Sequence, residues 1–167
     1  MASNTFIGRM IGAALLDVDT YEAVEHDTTL TPQAAAVVVI AAVATGLATS
    51  ETVVGGIVGG LVGWFFMAGT IYFIGTRLFG GTATWGELLR TLGFAASPKI
   101  LVILAVLPLV GWAVQLAVGI WSLAAAIVAI RQALDVSTGK AVLAGALGVV
   151  SWVLIAAVIV GLFTAGA

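Results

Sequence analysis

Cysteine is absent from this sequence, so the chain can form no disulfide, supply no thiolate nucleophile and hold no cysteine-ligated metal. Charge is scarce too: 8% of the 167 residues are Asp, Glu, Lys or Arg, against roughly 25% in soluble domains. With 6 basic and 8 acidic side chains, no Lys/Arg run exists that could neutralise a phosphate backbone, which argues against nucleic acid as a partner. The single histidine, His26, leaves little scope for imidazole chemistry. Nothing that remains assembles a nucleophile, a base and an oxyanion donor, so the chain is not expected to be an enzyme, and no cofactor or metal is expected. A cleaved leader is not expected either, because the first long apolar run starts only after Pro32.

What is present is apolar. Hydrophobic residues make up 62% of the chain and the mean hydropathy is +1.22. Most of the 21 glycines lie inside apolar runs, where a membrane helix gains close backbone approach from them. The pattern predicts an all-α fold, a polytopic membrane helical bundle of about five transmembrane helices with a short N-terminal amphipathic helix. The spans are expected at residues 32–48, 53–76, 88–107, 112–130 and 141–163, forming one transmembrane domain over 32–167. Residues 1–31 are expected on the cytoplasmic side. Within them, Phe6, Ile7, Met10, Ile11, Ala14 and Leu15 fall on one helical stripe, which suits a helix at the membrane surface. The acidic stretch after it, holding Asp17, Asp19, Glu22, Glu25 and Asp27, is expected to be a solvated approach to the first span. Residues 49–52 are expected to form a tight polar turn.

Basic residues give an orientation. Arg9, Arg77, Arg90, Arg131 and Lys140 all fall on one side of this span pattern, and the opposite connections carry neither Lys nor Arg. Short basic loops stay in the cytoplasm, so the N-terminus is expected there and the C-terminus outside. The Ala/Gly/Val bias suggests a bacterial cytoplasmic membrane.

Two features qualify as candidate sites. Gly55, Gly59 and Gly63, with Gly56 and Gly60, repeat at four-residue spacing on the second span; this small-residue face suits packing inside the bundle or contact with another protein or a second copy. Lys99, next to Pro98, falls inside the third span, where a buried cation costs about 2.5–3.5 kcal/mol unless it finds water or a partner. It either snorkels to the cytoplasmic interface or meets a lipid phosphate or polar partner. Glu22, Glu25 and His26 could in principle share a metal-binding face, but a solvated acidic face accounts for them more simply. Gln115, Ser122 and Ser151 are isolated polar residues within spans, suited to interhelical hydrogen bonds.

The run from Trp85 through Leu88, Leu89, Arg90, Leu92, Gly93 and Phe94 to Pro98 resembles the entrance to the third span in the YIP family of multi-pass membrane proteins, whose eukaryotic members bind Rab-type GTPases. The similarity continues through Leu107 and Pro108, Trp121 and the polar loop before the last span, covering residues 69–163. The resemblance implies a non-catalytic protein that acts as a membrane-organising scaffold or adaptor, with the lipid bilayer and other membrane proteins or a homo-oligomer as partners. The N-terminal region is much shorter than in the eukaryotic members, which puts GTPase recruitment in doubt. Two alternatives remain open: an accessory subunit of a larger membrane complex, and a small transporter or channel with Lys99 and Gln115 along a polar path.

Overall fold

The computed structural model describes residues 4–49 and 52–165, with side chains omitted at 156 and 158–165. Ser50 and Glu51 of the expected polar turn, and residues 166–167, lie outside the described residues. The described residues form seven α-helices and two 3₁₀ segments and contain no strand. In chain order the helices are α1 (Phe6–Ala14), α2 (Val18–His26), α3 (Thr31–Thr49), α4 (Val53–Leu78), α5 (Trp85–Phe94), α6 (Gly111–Leu134) and α7 (Thr138–Ala165). The 3₁₀ segments are Thr28–Leu30, leading into α3, and Ser97–Val106, continuing α5.

Five stretches are long and apolar enough to cross a bilayer: Thr28–Thr49, Val53–Leu78, Trp85–Val106, Gly111–Leu134 and Thr138–Ile155. The third departs from a regular helix. Its α-helical half ends at Phe94 and resumes as 3₁₀ at Ser97, whose hydroxyl donates to the Phe94 carbonyl at 2.7 Å. Pro98 stands in the first turn of the new segment, where its missing N–H leaves no orphan and its ring closes off the preceding helix. At about 2.0 Å per residue the 3₁₀ run gains length over an α-helix, helping the broken span reach across.

The spans form a bundle in which α3 packs on α4, α4 on α7 and α7 on α6, while the 3₁₀ run Ser97–Val106 lies between α3 and α6. Helix α5 fills the interior against α3, α4 and α6. Two apolar cores result. One joins Ala13, Tyr21, Val24, Ala34, Val37, Phe94 and Ala125; the other joins Ala68, Ile71, Leu88, Ile130, Leu134 and Ala144. The first core recruits residues from α1 and α2, so the N-terminal segment belongs to the bundle.

Candidate functional site

The densest polar construction is where the N-terminal hairpin docks. Its base is α5, started by a capping box: Glu87 N–H donates to Thr84 Oγ1 at 3.3 Å, and Thr84 N–H donates to Glu87 Oε2 at 2.7 Å. This start turns Leu88, Arg90, Thr91, Gly93 and Phe94 into the bundle. Arg90 is 5% exposed. Its Nε donates to the carbonyls of Val24 and Glu25, both at 3.1 Å, and Nη2 also reaches the Glu25 carbonyl. These carbonyls belong to the last turn of α2, where backbone acceptors lack intrahelical partners and carry the negative end of the helix dipole. Arg90 therefore caps α2 from another span. Sequence reading took it as a topology-setting loop charge; nothing in its neighbours along the chain reveals the cap.

Two further donors pin the hairpin. Tyr21 Oη lies 3.0 Å from the Ala13 carbonyl and 3.3 Å from that of Ala125, so one hydroxyl is shared between the end of α1 and a turn of α6. Burial pushes the Tyr21 phenol above its ordinary pKa, keeping that proton in place. Trp121 Nε1 donates to the Ala14 carbonyl at 2.6 Å. The turn joining α1 to α2 places Leu16 at φ 62, and a Cβ on Gly12 would collide with the Thr20 side chain, so the hairpin closes tightly only with glycine at 12. At the opening of the dock, Arg9 donates to Gln33 Oε1 at 3.2 Å and Gln132 to Glu22 Oε1 at 3.3 Å.

The acidic stretch departs from expectation. It contains a helix, and Glu25 is 7% exposed rather than solvated, because the partners of Tyr21 and Val24 draw that face of α2 inward. Burial first, then the charges of Glu87, Asp135 and Glu22, push the Glu25 carboxyl up to about 7 against an opposing pull from His26, 4.0 Å away. Asp27 is the converse: its carboxyl is held below the usual carboxylate range by hydrogen bonds from the Thr29 hydroxyl and N–H. Among the described residues Glu22, Glu25 and His26 form no metal-ligating group.

The glycines singled out on α4 have unequal surroundings. A Cβ at Gly60 would meet Ala42 Cβ of α3 at 3.3 Å, one at Gly56 the Ala42 carbonyl at 3.5 Å, and one at Gly63 the Trp152 ring of α7 at 3.6 Å. At Gly55 it would meet only Thr52, the residue that caps the start of α4, and at Gly59 nothing within 4 Å. Tighter approaches between spans lie elsewhere: Gly75 against Leu134, Gly93 against Ala34, and Gly148 against Ile71. Pro98 is buried; Lys99 is exposed, and no acidic side chain among the described residues pairs with it. Gln115 is exposed, and Ser122 Oγ is buried without a hydrogen-bond partner among the described residues.

Five apolar spans around a docked amphipathic hairpin define a polytopic, α-helical integral membrane protein. Residues 19–163 match the family model described as the Yip1 domain, and the chain belongs to that family. The match begins at residue 19, so besides the stretch 69–163 it takes in nearly all of α2, which Arg90 caps. Neither a curated relative nor a solved structure matches the chain.

Proposed function

We propose that this protein is a non-catalytic, membrane-organising scaffold or adaptor, with α1 as a wedge fixed to the transmembrane bundle. The observation behind this reading is the two-sidedness of α1. One side is tied down through Ala13, the Ala14 carbonyl and the Phe6–Phe94 ring contact, with centroids 6.4 Å apart. The other presents Ile7, Ile11 and Leu15 at 67%, 55% and 70% exposure. A helix with such a face inserts into the boundary between headgroups and acyl chains, and being anchored it adds area to one leaflet only. The basic residues Arg9, Arg77, Arg131 and Lys140 support a cytoplasmic N-terminus and an outer C-terminus in a bacterial cytoplasmic membrane. Lys99 and Pro98 remain the proposed contact for a lipid phosphate or polar partner, and Gly55 and Gly59 with their neighbours the proposed contact for another protein or a second copy.

Reconstitution into giant vesicles tests the wedge. The native chain is expected to tubulate or sort to curved membrane, and the triple variant Ile7→Asn, Ile11→Asn, Leu15→Asn to lose that effect while remaining folded. Equal behaviour of the two would overturn the reading. Co-purification with defined subunits after gentle extraction would select the accessory-subunit alternative.

A further inference from the structure

Glu25 lies on the buried side of α2 without a charge partner. Its side chain is 9% exposed, and among the described residues its carboxylate meets no hydrogen-bond donor and no basic group within 4.0 Å except His26 Nδ1, at that distance. Arg90 lies against the same turn, yet its Nε and Nη2 go to the Val24 and Glu25 carbonyls rather than to that carboxylate. An ionised carboxylate so placed is costly, because it has lost water and gained no donor.

The neighbouring charges deepen the deficit. Helix α2 packs against α1, α5, α6 and the 3₁₀ turn Thr28–Leu30. Glu87 of α5, Asp135 at the end of α6 and Glu22 of α2 all oppose ionisation of Glu25, and His26 favours it. The other charges of these elements are engaged or distant. Arg9 of α1 donates to Gln33, Arg131 of α6 to Gln132, and Asp27 accepts from Thr29. Asp17 and Asp19 stand at the opposite end of α2. The turn that Arg90 holds in place is thus also the turn that ionisation of Glu25 pushes out. A pivot is at hand, since the extended backbone at Asp27 (φ -86, ψ 97) separates α2 from the short turn into α3, so α2 can lift without unwinding α3.

We propose that the N-terminal hairpin is a proton-operated latch: with Glu25 neutral it stays docked on α5 and α6, and with Glu25 ionised it swings out about Asp27 and uncovers Arg90. The working range follows from the docked carboxyl, which burial first and then the three acidic neighbours raise to about 7 from an ordinary 4.5. A carboxyl raised by docking favours the docked state fully below its undocked value and loses that contribution as pH rises through the docked one, so the latch loosens across neutral pH. The latch concerns the docked state of the hairpin alone and does not depend on whether α1 bends membranes.

Hydrogen exchange of the α2 amides in the full chain in nanodiscs, corrected for intrinsic exchange at each pH, tests the latch. Protection is expected to fall about fivefold between pH 4.5 and pH 8 in the native chain, after allowance for screening. Glu25→Gln, which keeps the shape and cannot ionise, is expected to hold the low-pH protection throughout. Glu87→Gln, which keeps the capping box and removes a neighbouring negative charge, is expected to give a shallower fall that ends at lower pH. A flat native profile, a fall that persists in Glu25→Gln, as titration of His26 would produce, or an equal fall across α4 and α7 would overturn the proposal. Circular dichroism identifies a Glu25→Gln chain that fails to fold; Glu87→Gln then decides, and an unchanged profile in it would overturn the proposal.

Discussion

The third span and the second are held in place by different physics. An 18-residue stretch of the Trp85–Val106 span is 39% buried, and the helix–3₁₀ break within that span is marked by Ser97 and Pro98; the corresponding stretch of Val53–Leu78 is only 17% buried, and Val58, Val62, Phe66 and Phe73 face outward. In the bilayer, apolar surface gains nothing by moving from lipid to protein, so α4 relies on close approach and dispersion. The region around α5 instead holds an N-terminal hairpin through donors aimed at orphaned carbonyls, where an unmade bond is expensive. Polar contacts therefore set the architecture on one side of the molecule, and small residues on the other.

The strongest way to break this contrast is Arg90→Ala. It removes the cap on α2 and leaves the Val24 and Glu25 carbonyls unpaired, and a loss of about 3 kcal/mol is expected in detergent unfolding. Next is the pair Gly93→Ala and Gly59→Ala. At Gly93 the new methyl would lie 2.7 Å from Ala34 Cβ and 3.0 Å from its carbonyl, and overpacking of about 2 kcal/mol is expected; at Gly59 it meets open space and the midpoint should barely move. The smallest expected effect is pH-dependent. The Glu25 carboxyl titrates near 7 in the docked state against an ordinary value of 4.5, so its ionisation opposes docking. Hairpin docking should be strongest below about pH 4.5, weaken as pH rises toward 7, and level off above it, with an amplitude of about 1 kcal/mol after screening. Glu25→Gln should flatten that profile, measured as exchange of the α2 amides against pH.

The spans and the amphipathic α1 were legible because each writes a long or periodic apolar signal. Helix α2 was not: Tyr21 and Val24 are too few to outweigh Asp17, Asp19, Glu22 and Glu25, and its burial comes from partners on α1, α5 and α6. The role of Arg90 was hidden for the same reason, since its acceptors lie 65 and 66 residues away. The 3₁₀ run Ser97–Val106, which lies between α3 and α6, reads as ordinary helix apart from Pro98. Regular glycine spacing drew attention to α4, but a glycine matters through what faces it: Gly93 stands alone in sequence and is tight in space, while Gly59 belongs to a repeat and faces nothing. The contact of Trp85 with Phe65 and Gly69 brings it against another span, which no local pattern encodes.

Hydrogen exchange of the native chain and of Arg90→Ala, side by side in nanodiscs, tests most directly whether the N-terminal hairpin is an integral part of the bundle. Protected amides across α2 in the native chain, exchanging markedly faster in the variant while α4 and α7 stay unchanged, is the expected result. Amides of α2 that exchange freely in the native chain, or that are indifferent to the loss of Arg90, would contradict it.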